Sequence, residues 1–225
     1  MKKIIKAIAL ITLMTSAFSS SALADQGFVA IGPKISTQGL GLDARTPITD
    51  QFYLRLGGHY FTYTYNKDKA DDIAFKAKLT LLSIPLMLDW HPFEGSGFRL
   101  SAGLGYNGNK VKATGSAKQG ARINGVFYTA AEIGSVSAEV KLGNSMAGLV
   151  TIGYDSSFIS NGPLSFNMEA GVMYAGTPKL TVSSTGIGGR LVKEAIQKDA
   201  NDQFNDAKKY LKFFPVLSVG VKYCF

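Results

Sequence analysis

The sequence predicts an all-β fold: an eight-stranded antiparallel transmembrane β-barrel with a short helix in its last extracellular loop. Three observations lead there. Apolar and polar residues alternate with period two through most of the chain. Aromatic residues bracket the apolar phase at a constant spacing. The links between alternating segments are by turns short and long.

At the N-terminus, Lys2, Lys3 and Lys6 accompany an apolar run from Ala7 to Phe18, and Ala22-Leu23-Ala24 forms an A-x-A cleavage site before Asp25. Residues 1–24 are expected to be a signal peptide, and 25–225 a single barrel domain. The apolar run is too short for a helical span, and no cysteine follows the cleavage site to carry a lipid anchor. Cys224 is the only cysteine, so export brings no intramolecular disulfide. Removing the three signal lysines from the formal +8 leaves +5, with no basic stripe of the kind nucleic-acid binding requires. No later segment reaches the length of a helical span.

Candidate strands are 27–35, 39–48, 52–66, 73–92, 98–113, 137–156, 164–182 and 212–225. The links Thr49-Asp50-Gln51, Glu94-Gly95-Ser96-Gly97 and Ser160-Asn161-Gly162-Pro163 are tight and rich in turn residues. Residues 114–136 and 183–211 are long, 67–72 is intermediate, and Ser36-Thr37-Gln38 is short. Short periplasmic turns alternating with longer outer loops are the pattern of a transmembrane barrel.

Alternation assigns the faces. In 98–106 Phe98, Leu100, Ala102, Leu104 and Tyr106 share one phase, opposite Arg99, Ser101, Gly103, Gly105 and Asn107. In 164–174 the apolar phase is Leu164, Phe166, Met168, Ala170, Val172 and Tyr174. In 52–60 it is Phe52, Leu54, Leu56, Gly58 and Tyr60, with Arg55 and His59 opposite. The last segment puts Phe213, Pro215, Leu217, Val219, Val221, Tyr223 and Phe225 together, leaving Ser218, Gly220, Lys222 and Cys224 on the other side.

A soluble sandwich would also alternate, but it would not explain the aromatic spacing. Phe52/Tyr60, Phe98/Tyr106 and Phe166/Tyr174 are each eight residues apart on the apolar phase. That spans about 20 Å along a tilted strand, close to the apolar band between aromatic girdles. The polar phase combines glycine with charged residues, as a filled barrel interior requires. Finally, Tyr223-x-Phe225 resembles the C-terminal signal by which the outer-membrane assembly machinery recognises its substrates.

Strand four loses phase once. Ile73, Phe75, Ala77, Leu79 and Leu81 share a face that Ile84, Leu86, Leu88 and Trp90 continue one position out. A β-bulge near Leu82-Ser83 would restore register. With that bulge, the expected lumenal polar cluster is Arg55, His59, Lys76, Lys78, Asp89, His91, Arg99, Glu139, Lys141 and Glu169. Asp89 and Arg99 are close enough across the 94–97 turn to pair.

Leu88-Asp89-Trp90-His91-Pro92-Phe93, Gly97-Phe98-Arg99-Leu100-Ser101-Ala102-Gly103, Tyr106-Asn107-Gly108-Asn109-Lys110 and Phe214-Pro215-Val216-Leu217-Ser218-Val219-Gly220-Val221 together resemble an uncharacterised family of small bacterial outer-membrane barrels. The resemblance covers most of 25–225 and implies OmpA/OmpX-type eight-stranded architecture in the outer membrane of a Gram-negative cell. It implies no activity and carries over no functional residue.

Other motifs lead nowhere chemical. Gly103-Leu104-Gly105-Tyr106-Asn107-Gly108 matches G-x-G-x-x-G but lies within a strand, without the βαβ context of a nucleotide site. His59 and His91 fall at different heights on neighbouring strands, too far apart to share a metal. Neither histidine has a serine two residues away and both fall on the inward phase, which leaves a lipid-modifying barrel enzyme as the less favoured alternative. The expectation is a non-enzyme without cofactor or metal.

Within 188–211, Val192, Ala195, Ile196, Ala200, Phe204, Ala207 and Leu211 form a helical stripe. It is expected either to cap the barrel mouth against 114–136 or to offer lysines to a partner or to lipopolysaccharide. Two functions stay open: a plugged barrel contributing to envelope integrity or surface contacts through its loops, or a narrow channel or carrier. An eight-stranded interior is just wide enough for side chains, which favours the first. The expected surroundings are outer-membrane lipid, lipopolysaccharide and the barrel assembly machinery, with the protein a monomer.

Overall fold

In the computed structural model, residues 29–67, 73–117, 121–123, 126–159, 163–186 and 211–225 are described, together with Glu194 and Lys198, both helical. The expected signal peptide over 1–24 and the rest of the stripe over 188–211 lie outside them, apart from Leu211.

Eight strands close a barrel: β1 (Ala30–Ser36), β2 (Gly39–Pro47), β3 (Phe52–Lys67), β4 (Ile73–Trp90), β5 (Phe98–Asn107), β10 (Met146–Asp155), β11 (Leu164–Tyr174) and β13 (Phe213–Cys224). Each pairs antiparallel with its neighbour, and β13 returns to β1 to seal the cylinder. Closure satisfies every strand edge, the condition for spanning lipid with β-structure. The apolar phase points outward, where Leu104, Val150, Ile152 and Leu217 are more than half exposed. Such a surface is stable only against hydrocarbon. Phe52 stacks on Trp90 at 6.3 Å in the lower girdle, and Tyr174 meets Phe213 at 5.3 Å in the upper one.

Above the upper girdle only part of the cylinder continues. β6 (Lys110–Ala117), β9 (Ser135–Lys141) and β12 (Lys179–Ser184) prolong β5, β10 and β11, and they join the upper halves of β3 and β4 in a curved wall. The described part of the loop 114–136 is structured. It holds a small hairpin of β7 (Ala121–Ile123) and β8 (Val126–Tyr128), then the one-turn helix α1 (Ala130–Ile133), whose Thr129 and Glu132 cap each other reciprocally.

The expected bulge near Leu82-Ser83 is absent. β4 keeps one register against β3 from Phe52↔Trp90 to Lys67↔Phe75, and one against β5 and β6 from Trp90↔Leu100 to Ile73↔Ala117. What changes is the surroundings. Even-numbered residues of β4 from Lys76 to Trp90 face outward, and they are apolar where lipid covers them. Above the membrane the outer face meets water, so the apolar residues move to the inner face: Leu79 there adjoins Val111, Val140 and Leu180 across successive strands.

The register shift lies elsewhere. Tyr106 pairs with Met146 and Lys110 with Lys141, so four steps along β5–β6 match five along β9–β10. The extra residue sits in 142–145, where Gly143 takes a left-handed φ of +104°. Asn107 holds this bulge from inside, donating to the carbonyls of Leu142 at 2.9 Å and Asn144 at 3.0 Å. Removing that amide in Asn107→Ala leaves two inward carbonyls without a donor. It should lower stability by about 1–3 kcal/mol, read as a urea midpoint in lipid vesicles.

Candidate functional site

Every barrel strand sends a charged side chain into the lower half of the lumen. β1 contributes Lys34, β2 Asp43 and Arg45, β3 Arg55, β4 Asp89, β5 Arg99, β10 Asp155, β11 Glu169 and β13 Lys222. Arg55 is the hub. Its Nε and Nη2 donate to the two oxygens of Asp89 at 2.9 and 3.0 Å, while Nη1 reaches Asp43 at 3.1 Å and Nη2 lies 2.9 Å from Glu169. Arg99 donates to Glu169 at 2.8 Å and lies 3.5 Å from Asp89. Lys34 pairs with Asp43, and Lys222 with Asp155. Glycine makes the room: a Cβ at Gly153 would stand 3.1 Å from the Arg99 guanidinium.

The periplasmic end is stoppered by rings. The Arg45 guanidinium lies 3.7 Å over Tyr53 and 5.1 Å from Phe158, and donates to Asp155 at 2.5 Å. His91 stacks on Phe158 at 3.8 Å with its Nε2 2.7 Å from Arg45. Toward the outside, Met87, Ala147, Leu149, Met173, Ala175 and Val216 form a buried apolar layer within the barrel, with Phe214 packed on it. Gln38, from the β1–β2 turn, reaches down to the Met173 sulfur at 3.5 Å. The lumen is therefore filled twice over: by paired charges below and by hydrocarbon above.

Of the residues expected in the lumen, Arg55, His59, Asp89, His91, Arg99 and Glu169 lie there; His59 sits 3.1 Å from Asp43. Lys76, Lys78, Glu139 and Lys141 do not. Without a bulge in β4, Lys76 and Lys78 stay on its outward phase, and the extra residue at 142–145 turns Glu139 and Lys141 outward as well. All four belong to the wall above the membrane. Lys34, Asp43, Arg45 and Asp155 are not among the residues the sequence singled out, although each lies on an inward phase; Lys222, on the inward phase of β13 with Ser218 and Gly220 as the alternation assigned it, joins them in the cluster.

Tyr223 and Phe225 occupy the lipid side of the lower girdle, 5.0 Å apart, and the Phe225 N–H donates to the Val29 carbonyl at 3.1 Å. The G-x-G-x-x-G stretch runs along β5 and out of its upper end, with Gly103 and Gly105 lining the lumen rather than cradling a phosphate.

No family model matches the chain, and no curated protein matches it in sequence. Solved structures do. Acinetobacter baumannii CarO2 superposes with a TM-score of 0.56 at 19% identity, over 88% of this chain and 98% of that one. Acinetobacter baumannii CarO does so at 0.55 and 20%, over 87% and 97%. Ail, the attachment invasion locus protein of Yersinia pestis, scores 0.36 at 12% identity over 88% and 96%, too distant to carry an argument. At these identities the likeness is one of fold. Taken with the closed cylinder, its lipid-facing belt and its girdles, the chain has the eight-stranded architecture of the small outer-membrane β-barrels.

Proposed function

We propose that this protein is a non-enzymatic, monomeric component of the outer membrane that acts through the surface it presents outside, its lumen being closed to solutes. The observation that carries this reading is the double filling of the lumen. Asp89 and Asp155 are 0% exposed and Arg99 1%, so even water has little access to the charged layer. A solute would have to break the Arg55 and Arg99 pairs and displace the Met87–Leu149–Met173 layer as well. Closure of the cylinder leaves no sheet edge in the membrane for a second copy, which supports the monomer.

Protein reconstituted into planar bilayers should show no steady conductance. Large, long-lived channels would overturn the closed lumen and make the protein a narrow channel or carrier.

Insertion is proposed to depend on the barrel assembly machinery reading Tyr223 and Phe225. Deleting Phe225 should reduce the folded, heat-modifiable form in outer membranes and leave unfolded chain in the periplasm, measured by fractionation and gel mobility. Unchanged assembly would remove this role from Phe225.

A further inference from the structure

The outward face of the wall above the barrel is dense in lysine. The register places Lys110, Lys141 and Lys179 directly beside one another on β6, β9 and β12, and in the next row Lys78 and Lys112 lie beside Glu139. Like charges directly opposite across strands are destabilising. Among the described residues none of these lysines forms an ion pair, and one carboxylate, Glu139, against five lysines does not offset the repulsion.

The position of this row indicates what does. It continues the lipid-facing phase of the barrel: Lys110 follows Tyr106 of the upper girdle by four residues, and Lys179 follows Tyr174 by five. That places it about 10 Å above the hydrocarbon edge. The headgroup layer is roughly 5–8 Å deep, and a lysine side chain snorkels over such a distance. We propose that the Lys110–Lys141–Lys179 row is a binding surface for the phosphates of lipid A in the outer leaflet. This rests on the outer-membrane location proposed above. It moves the lipopolysaccharide contact from the last-loop helix, where the sequence suggested it, to the sheet. The row is invisible in the sequence because its three members come from strands that meet only across the shifted register at 142–145.

The test uses the purified full barrel in micelles, titrated with bisphosphorylated lipid A and with its dephosphorylated form. The wild type should prefer the phosphorylated lipid by about 10- to 100-fold at low salt, with the preference collapsing at high salt. Lys110→Gln/Lys141→Gln/Lys179→Gln should lose it while keeping the heat-modifiable gel shift of the folded barrel. The charge-matched Lys198→Gln/Lys208→Gln/Lys209→Gln should keep it. Equal affinity of the wild type for both lipids, or an undiminished preference in the first triple variant, would overturn the proposal. So would binding to a sulfated polysaccharide without binding to lipid A. Because binding is read in micelles and location by cell fractionation, failure of one does not masquerade as failure of the other.

Discussion

Asp155→Asn is expected to cost about 3–5 kcal/mol, the penalty typical of breaking a buried ion pair, against a total stability of about 5–15 kcal/mol. The lumenal layer holds five cations (Lys34, Arg45, Arg55, Arg99, Lys222) and four carboxylates (Asp43, Asp89, Asp155, Glu169), with the histidines counted neutral. Its net charge is thus +1, and the substitution raises it to +2. The damage is also local. Among the described residues Lys222 pairs with Asp155 alone, and Arg45 keeps only His91 and the Tyr53 and Phe158 rings, none of them an anion, while Arg99 retains Glu169 and Asp89. A second change, Lys222→Met, removes the stranded ammonium and restores +1. Asp155→Asn/Lys222→Met should therefore recover much of the loss, giving a coupling energy well outside additivity. Urea midpoints of the two single variants and the double variant in vesicles measure it. Additive losses would mean that the two residues do not form the pair described.

Leu104→Lys is expected to cost about 2–4 kcal/mol, the depth-dependent cost of a lipid-facing lysine near the bilayer midplane. Leu104 is 61% exposed on the outside of β5, so in the membrane it touches hydrocarbon. Shortening it in Leu104→Ala should cost little, because lipid chains fill the space. Leu149 is the internal counterpart, 3% exposed and packed in the apolar layer with Met87 and Met173. Leu149→Ala should leave a cavity and cost about 2–5 kcal/mol. The order of the two alanine variants reports which phase faces inward. If Leu104→Ala is the more damaging, the inside–outside assignment is reversed. Asn107→Lys, the inward substitution that the alternation alone would suggest as a mild control, is a poor one, since Asn107 holds the 142–145 bulge.

The strand count, the tight turns at 49–51 and 94–97, and the faces of β3, β5, β11, β13 and the lower half of β4 were legible in the chain. Hydrocarbon outside and a filled polar interior impose period two on each strand, and each strand obeys the rule by itself. The same rule misleads where its premise ends. Above the upper girdle water replaces lipid, and Leu79 and Leu81 turn inward while Lys76 and Lys78 turn outward. A reading that assumes lipid throughout must then invent a bulge to keep the apolar face continuous. The real register shift, at 142–145, leaves no hydrophobic signature, being held by side-chain-to-carbonyl hydrogen bonds from another strand. The lumenal network was half readable. Alternation tells which residues point inward, but Asp155 meets Lys222 across 67 residues and Arg45 across 110. Only closure of the barrel, bringing the last strand back to the first, decides which charges are neighbours.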